Sequence, residues 1–259
     1  MNSVVCIKQV PDTETLIKID GSGTGIATDG VKWVMNPYDE FAVEEALKQK
    51  EKAGAGTITI ISLGPDRAIE TIRTALAMGA DNGIHIQDAD FAAKADPYAT
   101  ASALAAAIKG VADVKAIWCG KQAIDDDAAQ VPAILGEMLG LPVITMVVKF
   151  EAAGDKAIVT REIEGGQAVI EVPLPAIFSA QKGLNEPRYA SLPGIMKAKK
   201  KPVDVKTAAD LGVGAAAKTA IKNMTLPPAR QAGKKIEGDD ADVKAAALAK
   251  ALSEEAKVI

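Results

Sequence analysis

Histidine and aromatic residues are scarce in this sequence. Its 259 residues include a single histidine, His85, and only 3% phenylalanine, tryptophan and tyrosine. A single histidine argues against a Ser-His-Asp triad and leaves His-rich zinc or iron sites without ligands. Few aromatic rings leave little for nucleic-acid bases to stack on. We therefore expect no metal site and no nucleic-acid partner.

An excess of charge of one sign and long apolar runs are lacking as well. The 30 Lys and Arg residues against 34 Asp and Glu give a net charge of -4, so no global basic field holds a nucleic-acid backbone. No stretch approaches the ~18 uncharged apolar residues of a membrane span, so we expect no membrane insertion. The start, MNSVVCIKQV, is interrupted by Lys8 and is too short and polar for a signal peptide. These features predict a cytoplasmic protein.

The sequence has only two cysteines, Cys6 and Cys119. Each lies inside an apolar run typical of a β-strand. Free cysteine behaves as a small core residue, and disulfides are rare inside cells. We therefore expect two reduced, buried thiols.

Strand-like and helix-like segments alternate through the first 140 residues, which predicts an α/β fold with a mostly parallel sheet flanked by helices. Asn36-Pro37 predicts a helix start and Gly54 its end. From Val143 to Ile177 the pattern becomes that of antiparallel strands, which indicates a hairpin or meander. After residue 202 large apolar residues are too few for a separate core. We expect a domain over 1–202 and a C-terminal arm over 203–259 that packs on another subunit.

Gly120–Val131 follows a buried strand and precedes an amphipathic helix, which places it where α/β folds bind ligands. Backbone amides at the helix start can hold a phosphate, with Lys121 as a nearby cation. In the alternative interpretation, the three aspartates Asp125, Asp126 and Asp127 cap the helix without a ligand. This segment alone does not decide between the two.

Prolines and lysines mark a second segment, Gly183–Lys201. Tyr189 and Leu192 stand between prolines, and four lysines follow in an otherwise acidic protein. The pattern fits either a solvated loop with a charged helix end or a protein-docking loop with an apolar anchor beside a basic patch.

Five blocks of the sequence resemble the β subunit of electron-transfer flavoprotein, and the likeness covers roughly residues 3 to 213. The blocks are VKWVMNPYDEFAVEEAL (31–47), GPDRAIETIRTALAMGAD (64–81), GKQAIDDD (120–127), REIEGG (161–166) and LNEPRYASLPGIMKAKKKP (184–202). They are long, ordered and specific. The resemblance implies a sheet of the adenine nucleotide α-hydrolase-like type, and a heterodimer whose α subunit supplies most of the site for FAD while the β subunit holds AMP.

The resemblance also assigns AMP-binding residues in this chain. They would be Cys6, Asn36, Pro37, Tyr38, Asp39, Leu63, Gly120, Lys121, Gln122, Ala123, Ile124, Asp125, Asp126, Asp127, Ala128, Ala129, Gln130 and Val131. Strand ends at 6, 63 and 120 should converge at one sheet edge, which agrees with this assignment. Val131 lacks the hydroxyl of some relatives, and Thr13 stands where some relatives have a tyrosine beside the flavin.

The function implied is that of an electron carrier without catalytic residues. It would accept electrons from flavin dehydrogenases such as acyl-CoA dehydrogenases, as in fatty acid β-oxidation, and pass them to a quinone-linked oxidoreductase. The docking loop would be residues 180–202, with Leu192 as the anchor. Its predicted contact residues are Tyr189, Leu192, Pro193, Ile195, Met196, Lys197 and Lys200.

Two alternatives remain. In electron-bifurcating relatives a second FAD that reacts with NADH replaces AMP. Those relatives tend to have Gly and Thr where Asp126, Asp127 and Ala128 stand here, so the carrier is preferred. A nucleotide-sensing α/β protein of the universal-stress type shares the fold but would not need Leu192 and its loop.

Overall fold

A mostly parallel sheet with helices on both faces organises the chain, as the sequence predicts. The structure is a computed structural model that describes residues 1–213, 217–229 and 232–259. It contains two compact units, Met1–Asn223 and Met224–Ile259. The strands of the first unit are β1 (Ser3–Cys6), β2 (Gln9–Pro11), β3 (Trp33–Met35), β4 (Ile58–Gly64), β5 (Asn82–Gln87), β6 (Ala116–Gly120), β7 (Val143–Ala153), β8 (Lys156–Ile163), β9 (Gly166–Pro173), β10 (Ala176–Ala180) and β11 (Val203–Lys206). Its helices are α1 (Pro37–Ala53), α2 (Ala68–Met78), α3 (Ala89–Lys94), α4 (Pro97–Lys109), α5 (Val131–Leu139) and α6 (Leu192–Ala198).

The main sheet has the strand order β11-β5-β4-β1-β6-β10-β7-β8-β9 among the described residues. Strand β1 lies between β4 and β6 and is parallel to both. The chain therefore builds outward from β1 through β4 to β5, and then returns to add β6 on the other side. This reversal is the point at which open α/β sheets form a ligand crevice. Strands β2 and β3 pair separately as an antiparallel ribbon.

Successive residues of the central strands point to opposite faces of the sheet and pack there in two apolar layers. Trp118 of β6 packs in the layer with α1 and α2, whereas its neighbours Ile117 and Cys119 pack in the layer with α4 and α5. Because both faces are covered, the strands are apolar almost throughout. Trp118 also meets Phe150 and Phe178, with ring centroids 4.9–5.1 Å apart. Three of the chain's few aromatic residues therefore pack together in one core cluster.

The predicted meander is present in β7, β8 and β9, which are antiparallel to one another. The antiparallel prediction is wrong for the last part of that region, because β10 is parallel to both β6 and β7. After β9 the chain returns, so that β10 lies between β6 and β7. A run of apolar residues such as Ala176–Ala180 shows that a strand is buried but not which way it points.

The boundary expected at residue 202 also differs from the observed arrangement. Strand β11 pairs in parallel with β5, so residues 203–206 belong to the main sheet, and the second compact unit begins at Met224. Residues 214–216 and 230–231 of the predicted arm lie outside the described residues. That the arm packs on another subunit stays a prediction.

The second unit contains a helix near the C-terminal end. Helix α7 spans Ala241–Lys250 and continues into a π-helical turn, Ala251–Glu255. Asp240 caps α7 through the N–H of Val243 at 2.8 Å. No residue of α7 is buried. In the described part of the chain, no helix has the length and apolar character of a bilayer span.

Candidate functional site

A cavity of about 260 Å³ lies at the carboxyl ends of β1, β4 and β6. Cys6, Leu63 and Gly120 all line it, so the strand ends converge as the sequence predicts. The topology explains this convergence, because β1 has a parallel neighbour on each side. A cavity at this point of an α/β sheet is the expected ligand site.

Asp39 holds three of the cavity's segments together. Its carboxylate accepts hydrogen bonds from the backbone N–H of Lys8 at 2.7 Å and of Gly120 at 2.9 Å. The side chain lies in the first turn of α1 and is buried. Burial raises the pKa of Asp39 to about 7, although the hydrogen bonds from Lys8, Asn36 and Gly120 oppose this shift.

Gly120 has to be glycine because Asp39 and Tyr38 approach it so closely. A Cβ atom at residue 120 would collide with Oδ1 of Asp39 and lie 2.7 Å from Cβ of Tyr38. The absence of a side chain therefore lets α1 start directly against the end of β6.

Asn36 connects the start of α1 to the loop that follows β6. It occupies the N-cap position, as predicted, but its side chain does not cap the helix. Instead its amide nitrogen donates to the carbonyl of Gln122 at 2.9 Å, and its amide oxygen accepts from the N–H of Ile124 at 3.1 Å. The backbone carbonyl of Asn36 accepts the N–H of Asp39 at 2.8 Å. The buried side chain is thus used to shape the loop.

The three aspartates after β6 do not cap helix α5, so that alternative interpretation is wrong. Helix α5 begins at Val131, beyond the aspartates. Nζ of Lys8 donates to Asp125 at 2.8 Å and to Asp126 at 3.0 Å, and the side chain of Gln122 donates to Asp127. Burial lowers the pKa of Lys8, but the charges and hydrogen bonds of Asp125 and Asp126 outweigh it and raise the pKa.

The backbone at the start of α5 has free donors among the residues that line the cavity. Among the described residues, the N–H groups of Ala129, Gln130 and Val131 make no hydrogen bond, and all three residues line the cavity. Ala129 has a positive φ of 53°, which changes the direction of the chain just before the helix. Free amides at a helix N-terminus favour an anion.

The opposite wall of the cavity comes from α3 and the start of α4, and the sequence reasoning missed it. Asp96 caps α4 through the N–H of Ala99 at 2.9 Å, and also accepts from the N–H groups of Lys218 and Thr219 at 2.7 and 2.9 Å. Although burial raises the pKa of Asp96, these hydrogen bonds lower it overall. Further lining residues that the sequence reasoning missed are Ile7, Lys8, Ala92, Ala95, Pro97, Thr100, Leu104, Cys119 and Pro132.

Most of the residues predicted for the nucleotide site line this cavity, but some do not. Cys6 and Cys119 both line it, and both are free and buried. The hydrogen bond between the two thiols, together with burial, raises the pKa of Cys119. Nζ of Lys121 lies 4.9 Å from the ring centroid of Tyr38. The predicted residues outside the lining are Pro37, Tyr38, Lys121, Ile124, Asp125 and Asp127.

The predicted docking loop, residues 180–202, contains the short helix α6. Leu192 is its first residue, and Ser191 caps it through the N–H of Gly194 at 3.1 Å. Tyr189 is 99% exposed, Leu192 75% and Met196 59%. Ile195, Pro193, Lys197 and Lys200 are exposed as well. An apolar patch beside lysines is typical of a protein-docking surface.

Among the described residues, the structure holds no group of three or more His, Cys, Asp or Glu side chains placed to bind a metal ion. The cavity instead combines free backbone amides before a helix, a buried carboxylate and two buried thiols. These are features of a small-molecule site.

Comparison with known proteins identifies the chain's relatives. The family model for the electron transfer flavoprotein domain matches residues 23–211. The chain is 48% identical to electron transfer flavoprotein subunit beta of Syntrophomonas wolfei over 98% of this chain and 97% of that protein. It is 43% identical to the protein of that name from Bacillus subtilis, over all of both chains, and 43% identical to the human one, over 90% of this chain and 92% of that protein. The chain therefore belongs to the electron transfer flavoprotein family.

Proposed function

We propose that this chain is the β subunit of a heterodimer that takes electrons from flavin dehydrogenases, such as acyl-CoA dehydrogenases, and delivers them to a quinone-linked oxidoreductase. The α subunit would hold most of the FAD, which supplies the redox chemistry. This chain would hold AMP and dock the dehydrogenase. The observation that carries the proposal is the cavity at the end of β1, with free helix amides on one wall.

The dimensions and chemistry of the cavity suit AMP. Its volume of about 260 Å³ is near the small end of the range for ligand sites, which favours a mononucleotide over a dinucleotide. The free amides of Ala129, Gln130 and Val131 would bind the phosphate. The side chains of Asp125 and Asp126 are held by Lys8, so their charge is partly neutralised beside an incoming anion.

The bifurcating alternative fits these features less well. FAD is larger than AMP, and the cavity that it would have to enter is small and bordered by the ion pair of Lys8 with Asp126. The universal-stress alternative does not account for the apolar patch on the docking loop. The carrier function uses both the cavity and the loop.

Nucleotide analysis of the co-expressed heterodimer tests the proposal. Mass spectrometry of the released nucleotides should find one AMP and one FAD per heterodimer. The variant Thr100→Trp places a ring in the cavity and should lose AMP while keeping FAD; Thr74→Trp, at an exposed position of α2, is the matched control and should keep both. Two FAD per heterodimer with NADH oxidation would establish the bifurcating alternative instead.

A further inference from the structure

The apolar side chains of the docking loop do not hold the loop in place themselves. Tyr189, Leu192 and Met196 point into solvent and are 59–99% exposed. A loop whose large side chains are in water gains little from burial, so its conformation has to be stabilised by other contacts. Those contacts lie at its two ends.

Arg188 fixes the front of the loop to helix α1. Its Nε and Nη2 donate to the two oxygens of Glu44 at 2.8 and 2.9 Å, and its backbone N–H donates to the same side chain at 3.2 Å. Nη1 and Nη2 donate to the two oxygens of Glu51 at 2.6 and 3.1 Å. The hydrogen bonds that Arg188 donates to Glu51 and Glu44 raise the pKa of Arg188. Both glutamates lie on one face of α1, two turns apart.

The burial of these partners differs, which decides how the interaction can be tested. The side chain of Glu44 is 6% exposed, whereas that of Glu51 is 57% exposed. Removing Arg188 altogether would leave the Glu44 charge buried and unpaired, which destabilises a fold strongly. Arg188→Lys keeps the charge but loses the planar two-sided fork, so it loosens the contact without leaving Glu44 unpaired.

A second contact joins the same part of the loop to α1. Nδ2 of Asn185 donates to the carbonyl of Phe41 and to Glu45, both at 3.0 Å. The backbone three residues before Arg188 is therefore fixed to the same helix. Arg188 is the last residue so held before the exposed patch begins at Tyr189.

The rear of the loop is fixed to a different helix, α2. Nη1 of Arg73 donates to the carbonyls of Ala198 and Lys201, both at 2.7 Å. Nζ of Lys201 in turn donates to the carbonyl of Leu76 at 2.9 Å. Arg73 of α2 therefore binds carbonyls at and after the end of α6, and Lys201, which follows α6, binds a carbonyl near the end of α2.

We infer that Arg188, through Glu44 and Glu51, is a positioning residue that sets the place of Leu192 and its neighbours before the dehydrogenase arrives. The inference rests on the proposed docking function. In a preformed loop the side chains and backbone are already ordered, so binding loses less conformational entropy. The partner it fits is a protein with an apolar pocket and an acidic rim, because Lys197 and Lys200 stand beside the apolar patch.

The test compares five variants of the FAD-loaded heterodimer with the wild type. They are Arg188→Lys, Glu51→Gln, Leu192→Ala, the double variant of Arg188→Lys with Leu192→Ala, and the control Glu171→Gln. Glu171 forms an exposed ion pair with Lys156 on the meander, so it controls for the loss of a surface pair. The measurements are amide hydrogen exchange over residues 186–196, and kcat and KM with an acyl-CoA dehydrogenase as electron donor.

Arg188→Lys should speed exchange in the loop and raise KM for the heterodimer about threefold to tenfold, with kcat, flavin content and Tm close to wild type. Glu51→Gln should also speed exchange in the loop and raise KM, but by smaller factors. Glu171→Gln should change neither the exchange nor KM. In the Arg188→Lys background, Leu192→Ala should raise KM by a smaller factor than in the wild type, because the anchor is already misplaced.

The outcomes distinguish a failure of the inference from a failure of the proposed function. If Leu192→Ala raises KM while Arg188→Lys leaves exchange and KM unchanged, the positioning role is wrong and the docking function stands. A joint fall in Tm and flavin content in Arg188→Lys would show a general structural role and overturn the inference. An unchanged KM in Leu192→Ala would remove the docking function and the inference with it.

Discussion

Asp39 is a buried carboxylate on which the start of α1, the end of β1 and the end of β6 depend. The hydrogen bonds that Asp39 accepts stabilise its charged form, and its burial stabilises the neutral form. Burial prevails, so this group binds its proton more tightly in the folded chain than in the unfolded chain. The stability of the cavity region is therefore linked to pH.

We expect the Asp39 contribution to be complete below its unfolded pKa of 3.8 and to be lost as the pH rises through about 7. The linkage amounts to at most about 4 kcal/mol. Asp39→Asn cannot ionise, so Tm of the variant heterodimer relative to wild type should rise between pH 5 and 8. Thermal melts across that range check it; parallel Tm curves would show that Asp39 has an ordinary pKa.

Val131 is a cavity residue at the first position of α5 whose side chain offers no hydrogen bond. Val131→Thr adds a hydroxyl of nearly the same shape beside the free amides. One added hydrogen bond is worth about 0.5–1.5 kcal/mol, so AMP should be retained about twofold to tenfold more tightly. Nucleotide content after extended dialysis measures this. Val131→Ala is the control without a hydroxyl, and equal retention in all three proteins would place the phosphate elsewhere.

At the scale of elements, α6 depends on its close approach to α2. A Cβ atom at Gly194 would collide with the carbonyl oxygen of Ala77. We expect Gly194→Ala to push α6 away and to cost about 1–3 kcal/mol of local stability, since a backbone oxygen cannot move as a side chain can. Hydrogen exchange at the C-terminal end of α2 should become faster. Gly183→Ala, where no atom lies within contact of the added Cβ but φ is 99°, separates steric from backbone effects.

The lysines of α6 and the residues after it should act on association and not on the lifetime of the complex. Neutralising Lys197 and Lys200 by glutamine is expected to lower the association rate with the dehydrogenase about threefold to tenfold at low salt, and to flatten its salt dependence. Stopped-flow kinetics measure both. Lys109 and Lys115, also exposed, form the matched control pair. A change confined to the dissociation rate would contradict this prediction.

The elements themselves show which parts of the structure the sequence predicts well. The helix from Pro37 to Ala53 and the buried strand Ile58–Gly64 follow from proline, glycine and apolar pattern, which are local signals. The direction of β10 and the membership of Val203–Lys206 in the sheet depend on pairing with strands far away in the sequence. A local pattern does not contain that information.

The same limit applies to the site. Gly120–Val131 could be located from the sequence because it directly follows a strand in a parallel sheet. Thr100 could not, because a small polar residue in an alanine-rich helix carries no signal until the start of α4 is seen to face the cavity. Asn36 is typical of a helix cap, and only the structure shows that its side chain serves the loop after β6.

At the scale of the whole molecule, the second unit has little core of its own. Helix α7 buries no residue, and Leu248 and Val243 are exposed. We therefore expect the chain expressed alone to bind no FAD tightly and to be unstable in solution. Co-expression with an α subunit should restore both FAD binding and stability. Visible absorbance and analytical ultracentrifugation of the two preparations check this. A well-folded lone monomer with stoichiometric flavin would contradict the heterodimer.

Strand β11 pairs with β5 at one edge of the main sheet, and its residues directly follow the docking loop. During synthesis, β5 is made more than 110 residues before β11, so its outer N–H and C=O groups stay uncovered until the chain has passed residue 206. An uncovered edge strand recruits strands from other molecules. A chain cut at residue 202 would keep its cavity residues and its docking surface, yet it would expose β5 as a template for aggregation.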